Sequence, residues 1–536
     1  SKEADNFIQD HGCIATFKNY KGFPEAVCVS VNNELVHGIP KDKRFEDGDV
    51  VSFDLGATYQ GAIADSALTV GFGETKYQHM IDANEAFRLG LVQKITEPEE
   101  LLNETNKIAS KIASKGKLAV EKAKEKGYVV VSEKEKLQPG DKVFISHSGR
   151  TVFFILIGKK DITEGMNLLG GHIDCPRIDL KPNPLYEDSE LAFFDTHYYG
   201  GIRKYQWVAL PLAVHGHIVK QDGSVVNFSV GENEDEPVFS ITDLLPHLAQ
   251  KQAEKPIAEA VTGENLNLLI GTVPVKSTEA KLKVKEKILQ ILNEKYGMKE
   301  EDFNSADIQM VPAGKAREMG FDRSMILGYG QDDRICSFAA FKALMDMNEI
   351  PEYTAGVLLC DKEEVGSYGA TGMQSFFFEN AVAEVLHRME KTSLVDLNRT
   401  LSKSKMLSAD VNSLHDPNFP EVSSPNNNMP QMNRGTIIQK YTGARGKSGA
   451  SEASPEFVAE VRKIFNTNGV LWQTGELGKV DQGGGGTVAY ILANYGAEVL
   501  DCGVGLLSMH APYEVASKAD IFEMYRGYKA FFNINL

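Results

Sequence analysis

The tract Val357-Leu358-Leu359-Cys360, followed at once by Asp361-Lys362-Glu363-Glu364-Val365-Gly366-Ser367, restricts the fold more than any other stretch of this chain. An unbroken apolar run needs cover on both faces, which is the condition of a parallel strand buried inside an α/β sheet. The run stops in acids and a glycine. In open α/β sheets, ligands bind beyond the carboxyl ends of the strands. Adjacent side chains there point in different directions, so Glu363 and Glu364 can divide two tasks, one holding a metal while the other faces a water. A solvated acidic turn fits the same pattern, and the pair alone does not choose between them. The choice turns on the His and Asp residues at other strand ends.

A chain of 536 residues is too long for one compact core, and two or three domains are expected. Its formal charge of −17 argues against nucleic acid as a partner, since phosphate binding needs clustered Lys and Arg. No signal peptide and no bilayer-spanning apolar run is found, so no membrane partner is expected. Cys13, Cys28, Cys175, Cys336, Cys360 and Cys502 are scattered without a C-x-x-C pair, as in reduced thiols of a cytoplasmic protein.

The front of the chain, residues 1–92, reads as a separate α+β unit. Val27–Val31 alternates like a strand, Val50–Gly56 is a strand carrying Asp54, and Ala62–Val70 is another carrying Asp65. Asp54 and Asp65 can meet across such a hairpin and offer oxygen donors to one or two divalent ions. Two turn or edge-strand acids read the same way. Gly22-Phe23-Pro24, Cys28-Val29-Ser30-Val31-Asn32, His37-Gly38-Ile39-Pro40 and the two Asp strands resemble the first half of a methionine aminopeptidase. That resemblance implies metal ligands at Asp54 and Asp65, with His37 lining a substrate site. The later Gly-His-Gly-Ile-Gly-type segment of that family is not found here, and Glu97-Pro98 resembles one of its two later Glu motifs only faintly, without the surroundings.

Leu101–Lys126 has helical spacing and a shift in composition, which marks a surface helix and a domain junction. Val143–Ser146 and Val152–Ile157 form a hairpin across Ser148-Gly149-Arg150. Then Met166–His172 leads to Ile173-Asp174. His172 and Asp174 are two apart on an extended segment and face one side, which suits a metal-binding imidazole with a carboxylate behind it. Residues 186–318 alternate as an antiparallel, β-rich insert that splits the remaining domain into 93–185 and 319–536. In the insert, His215 and His217 share a strand face without nearby acids, Thr278–Lys295 reads as an amphipathic helix, and His247 is ambiguous. Further on, Asp332 opens a helix with Ile335, Phe338, Ala339, Phe341, Ala343, Leu344 and Met347 facing the core; it either caps that helix or bridges metals. A helix is expected over Thr371–Met389, a lone acid at Asp410, a late imidazole at His510, and a final helix over Ala516–Phe532. Gly483–Gly486 fits no phosphate-binding pattern.

Two His, two lone Asp and a Glu pair, without thiolates, suit zinc or another late first-row divalent ion, and the count suits two. Gly171–Arg177 with Lys181-Pro182, then Gln331–Arg334, Asp361–Ser367, Ser408–Asp410 and Met509-His510 follow one another in the order of a known family. Together they resemble the aspartyl aminopeptidase / aminopeptidase I family of di-zinc exopeptidases. His197–Trp207 is similar to its bacterial aminopeptidase I branch, and the likeness runs from about residue 100 to the end.

The resemblance implies a zinc-exopeptidase-like α/β fold: a mixed sheet flanked by helices and interrupted by the β-rich insert. It implies two Zn2+ per subunit, with Co2+ or Mn2+ as substitutes, held by His172, Asp332 and Asp410 and by Asp332, Glu364 and His510. It implies Asp174 as the orienter of His172, and Glu363 as general base toward a di-zinc-activated water in hydrolysis of N-terminal residues from peptide substrates. Self-association into a dodecamer is implied too, with His247 a candidate to reach a neighbour's substrate. The competing expectations are a metal-stabilised scaffold without catalysis and a residual methionine aminopeptidase activity of the front unit.

Overall fold

The computed structural model describes residues 2–10, 14–19, 23–31, 39–40, 44–46, 49–59, 62–71, 118–276, 280–423, 428–443 and 445–533, some of them, including Asp54 and Asp65, as backbone alone. Contacts divide the chain into Ser1–Ala113 and Ser114–Leu536. In the first unit a helix, Lys2–Asp10, precedes a four-stranded antiparallel sheet. Its long strand Val50–Tyr59 pairs with Ile14–Ala15, Val27–Val31 and Ala62–Gly71. The ladder sets Asp54 opposite Ala67 and Asp65 opposite Gly56. The side chains of Asp54 and Asp65, and all of His37, lie outside the described residues.

The second unit is built on a mixed sheet of nine described strands. These are β1 (Val129–Val130), β2 (Lys142–His147), β3 (Thr151–Leu156), β4 (Met166–His172), β5 (Thr354–Cys360), β6 (Lys405–Ser408), β7 (Thr436–Gln439), β8 (Trp472–Thr474) and β9 (Glu498–Gly503). Their order is β8-β7-β9-β6-β4-β5-β3-β2-β1. Strand β4 is parallel to both β5 and β6, so the carboxyl ends of all three open on one edge. Strand β5 is parallel only on its β4 side; on the other it pairs antiparallel with β3. Every residue of β3, β4 and β5 is buried, which is why none of them alternates in sequence.

Helices cover both faces. On one lie α1 (Gln331–Met345), α4 (Pro455–Thr467) and α6 (Lys518–Phe532); on the other α2 (Phe377–Arg388), α3 (Leu394–Ser402) and α5 (Ala489–Ala493). Ala339, Ala343, Phe457, Met524, Tyr528 and Phe531 fill the first layer, and Phe378, Val382, Leu386, Leu401, Ile491 and Leu492 the second. Each such large side chain contributes about 1.5–3 kcal/mol by leaving water. Serine hydroxyls cap three helices: Ser393, Ser454 and Ser517 accept the N–H of Asp396, Phe457 and Asp520.

Residues 177–312 carry a separate six-stranded antiparallel sheet, ordered Val225–Val230, Leu212–Val219, Ala306–Pro312, Arg177–Asp188, Leu191–Tyr199, Leu268–Gly271. Trp207, Ile178, Leu212, Leu266 and Met310 form its core. A smaller sheet joins Arg317–Met319, Met325–Gly328, Glu514–Ser517, Gly505–Leu507 and Asn412–Ser413, and so brings residue 514 beside the start of α1.

Element ends depart from the sequence expectations. Helix α2 starts at Phe377 rather than Thr371, and the insert helix runs Lys283–Tyr296, with the expected start at Thr278 outside the described residues. Helix α6 starts at Lys518, because Ala516 belongs to the strand Glu514–Ser517. Phe338 is 62% exposed, not a core contact. His215 does meet an acid, Glu232, at 2.6 Å. No helix of the described residues is long and apolar enough to cross a membrane.

Candidate metal centre

Seven side chains picked out in the sequence converge beyond the carboxyl ends of β4, β5 and β6. They arrive from five segments: His172 is the last residue of β4, Asp174 follows two later, and Glu363 and Glu364 lie three and four residues past β5. Asp410 is two residues past β6, and Asp332 stands at the start of α1. His510 sits on a turn between two strands of the small sheet. Asp332 does not cap α1: Gly330 is at the cap, and Asp332 itself has non-helical φ/ψ.

The two oxygens of Asp332 serve different imidazoles. Oδ1 lies 3.3 Å from His172 Nε2, and Oδ2 lies 3.1 Å from His510 Nε2. Asp410 Oδ1 and Glu363 Oε2 each come within 3.8 Å of His172 Nε2. Glu364 Oε2 is 3.7 Å from His510 Nε2. Two triads result, His172–Asp332–Asp410 and Asp332–Glu364–His510, each offering three ligand atoms within 4.8 Å of one another.

The backs of both imidazoles are occupied. His172 Nδ1 lies 3.0 Å from the Asp174 carbonyl oxygen and 3.4 Å from Asp174 Oδ1, and His510 Nδ1 lies 3.0 Å from the Gly201 carbonyl oxygen. Oxygens at Nδ1 hold a proton there and leave Nε2 facing the carboxylates, where a metal would take the place of its proton, the arrangement of a metal-binding histidine. Asp174 also accepts the backbone N–H of Glu363 at 3.0 Å, that of Glu364 at 3.2 Å, and the Tyr199 hydroxyl at 2.8 Å. Asp174 therefore fixes a histidine, chiefly by its main-chain carbonyl, and by its carboxylate the turn that carries both glutamates.

Close packing leaves little freedom. A Cβ on Gly171 would come within 2.7 Å of Asp333 Oδ2 and 2.8 Å of the Ala409 carbonyl. Gly200, at φ +74°, lies against Glu364, and a Cβ there would meet Glu364 Oε2 at 3.3 Å.

The charges are unbalanced in a way that suits a cation. Burial and then repulsion from Asp332 push Glu364 up to about 8. Burial, followed by Asp333, drives Asp410 well above the carboxylate range, and burial also raises Glu363. For Asp332 burial works upward too, but His172 and His510 outweigh it and hold this carboxyl below its usual range. Burial lowers the imidazoles, yet Asp174 and Asp332 carry His172 well above its normal value, and Asp332 and Glu364 carry His510 to about 10. Glu364 Oε1 is buried and meets no hydrogen-bond donor among the described residues. Nitrogen and carboxylate donors, excess negative charge and an unsatisfied buried oxygen fit divalent metal ions, zinc first among them. Nearby Cys175, Cys336 and Cys360 are buried thiols whose pKa values burial raises, so they bring no thiolate.

Residues 115–532 match the sequence model described as aminopeptidase I zinc metalloprotease (M18). The chain belongs to the M18 family. M18 proteins are zinc metallo-aminopeptidases, and that is the enzyme class of this chain. A probable M18 family aminopeptidase 1 of Clostridium acetobutylicum is 54% identical over 404 residues, 75% of this chain and 86% of that protein. The crystal structure of aminopeptidase I from the same organism superposes with a TM-score of 0.74 at 51% identity, covering 78% of this chain and 92% of that one. The M18 aminopeptidase of Thermotoga maritima gives 0.76 at 41% identity, covering 82% and 97%. A Saccharomyces cerevisiae relative, solved as a dodecamer, shares the fold at a TM-score of 0.62 and 23% identity, covering 78% and 92%. Residues 1–150 match the model for metallopeptidase family M24, so the M18 portion is preceded by an M24-like segment.

The remaining sequence candidate, His247, stands exposed on a turn of the insert. Three residues around the M18 centre went unassigned in the sequence. Tyr199 holds Asp174. Asp333, fully buried, accepts the backbone N–H of His172 at 3.3 Å. Glu514 accepts backbone N–H groups from Asp332 and His510. The only signal for the last was an acid four places after His510.

Proposed function

We propose that this chain hydrolyses the N-terminal residue from peptides, with two divalent ions per subunit and Glu363 as general base. Zinc is the native ion on this reading, and Co2+ or Mn2+ are replacements. His172, Asp332 and Asp410 would hold one ion and Asp332, Glu364 and His510 the other. The single observation that supports a paired site is the division of Asp332, one oxygen toward each histidine. Bound there, the ions would polarise the peptide carbonyl and acidify water.

The chain's own residues do the rest. Glu363 accepts the proton of the attacking water on its carboxylate and delivers it to the departing amine as the C–N bond breaks. A carboxyl raised by burial is suited to both halves of that exchange, since a base works best near the operating pH. Asp174 sets the Glu363 turn by its backbone N–H and keeps His172 in one tautomer. The catalytic parts are 93–185 and 319–536, and the insert 186–318 serves assembly. Within a dodecamer His247 would face the substrate of a neighbouring subunit. The cytoplasm is the proposed location. The front unit, 1–92, is the source of a second reading, a residual methionine aminopeptidase activity using His37, Asp54 and Asp65, favoured by the M24 match.

Metal content and peptide turnover, measured on one sample of wild type beside Glu363→Gln, test the main reading. Two metals in both proteins with turnover in the wild type alone is the expected result. Full metal loading without turnover in either would make the chain a metal-stabilised scaffold.

A further inference from the structure

Glu514 opens a strand of the small sheet and is 1% exposed. Its Oε2 accepts the backbone N–H of Asp332 at 3.1 Å, and its Oε1 accepts that of His510 at 2.8 Å. Its own carbonyl accepts the side-chain amide of Gln331 at 2.6 Å. Asp332 and Glu514 are 182 residues apart in the chain. A single carboxylate therefore joins the main chain under the shared aspartate to the main chain under the second histidine. Neither contact is to a side chain, so Glu514 takes no part in the ligand set.

The backbone of His510 shows that such a hold is needed. Its φ is +63°, in the left-handed region, which a residue with a Cβ adopts only where its surroundings keep it there. The N–H bond to Glu514 and the Nδ1 contact with the Gly201 carbonyl fix this residue at both ends. They determine where Nε2 points.

We infer that Glu514 is a positioning residue for the Asp332–Glu364–His510 triad, setting the separation of Asp332 and His510 through their backbone amides. The inference rests on the two-metal reading above. It predicts an asymmetry. Glu514 supports two ligands of this triad but only one, Asp332, of the triad with His172 and Asp410. Loss of its second acceptor should weaken one metal equivalent far more than the other.

Glu514→Gln is the sharp test. A carboxamide keeps the shape but has one acceptor oxygen, so its NH2 must confront one of the two backbone N–H groups. Glu514→Asp is the companion: it keeps the charge but falls short of spanning both amides. Zinc binding to the metal-free wild type and both variants would be followed by competition with a chelator, with thermal unfolding of each metal-free protein alongside.

The expected result is wild-type affinity for the first equivalent and a loss of roughly 10- to 100-fold for the second, as for other residues that orient ligands, with metal-free melting lowered only by the small amount that one buried N–H without an acceptor costs. If Glu514→Gln does not fold, the same split in Glu514→Asp supports the inference. Wild-type affinity for both equivalents would overturn it. So would equal weakening of both together with a lowered melting temperature, the mark of a merely structural residue. Failure of the wild type itself to take up two zinc ions is a different outcome: it removes the two-metal reading, and this inference with it.

Discussion

Tyr199 donates its hydroxyl to Asp174 Oδ2 at 2.8 Å, so the last residue of an insert strand anchors the carboxylate beneath the candidate metal centre. Asp174 in turn holds His172 and the backbone of Glu363 and Glu364. The insert is thereby part of the site. Tyr199→Phe removes a hydrogen bond to a charged group, worth about 1.5–3 kcal/mol. The expected outcome is a fall in kcat of about tenfold or more with little change in KM, since on the proposed mechanism binding is retained while Glu363 is displaced. Tyr198→Phe, at an exposed neighbouring ring, should match wild type in the same peptide assay.

The two adjacent glutamates should separate cleanly. Glu363→Gln keeps volume but removes the proposed base, and turnover should fall by about 10²- to 10⁴-fold with zinc content intact. Glu364→Gln weakens a ligand of the triad with His510. Its zinc content by elemental analysis should drop toward one equivalent. Equal zinc content in the two variants would contradict the division of roles.

Asp332 is shared between both triads, so Asp332→Ala should differ from every other ligand change. Loss of His510 or Asp410 touches one triad, whereas loss of Asp332 touches both. Zinc content near zero is expected for Asp332→Ala, against about one equivalent for His510→Ala, when both are dialysed against the same chelator.

How much of this was visible in the chain depends on the kind of signal. Glu363 and Glu364 stand out because they closely follow an apolar run, and His172 because Leu168-Leu169-Gly170-Gly171 leads straight to it. Strands buried on both faces announce themselves by composition. Glu514 carries no such mark: its partners are backbone amides, one of them 182 residues away, and amides have no sequence identity. Helix ends were blurred for a related reason. Ala516 continues the apolar spacing of α6, but pairing with Ile326 makes it a strand residue. Thr371 looked like a helix start, yet its hydroxyl bonds Asp361 and keeps the chain turning until Phe377. Phe338 fits helical spacing toward the core, and only the packing of α1 places it outside.

In the M24-like front, Asp54 and Asp65 are metal ligands only by the proposed likeness to methionine aminopeptidases, whose later Gly-His-Gly-Ile-Gly-type segment is not found in the sequence. Asp54→Ala combined with Asp65→Ala should therefore leave zinc content and peptide turnover at wild-type levels. A loss of turnover on an initiator-methionine peptide alone would instead assign that activity to the front unit.

Asp501 gives a pH dependence away from the metal centre. It is buried in β9, with Oδ1 accepting the Thr487 hydroxyl at 2.7 Å, and burial raises its carboxyl from 3.8 to about 6. The folded chain thus keeps a proton that the unfolded chain releases near pH 3.8. Between these values the native state binds more protons, so this group's contribution falls as pH rises through the window and is fully unfavourable above about 6. A shift of about two units corresponds to roughly 3 kcal/mol. Asp501→Asn cannot ionise and still offers Thr487 an acceptor. Urea unfolding of the metal-free proteins should show the variant close to wild type at pH 4 and more stable at pH 7, by up to roughly 3 kcal/mol. A stability difference that stays constant across this range would mean that Asp501 is ionised in the fold throughout, with Thr487 and its neighbours compensating the buried charge.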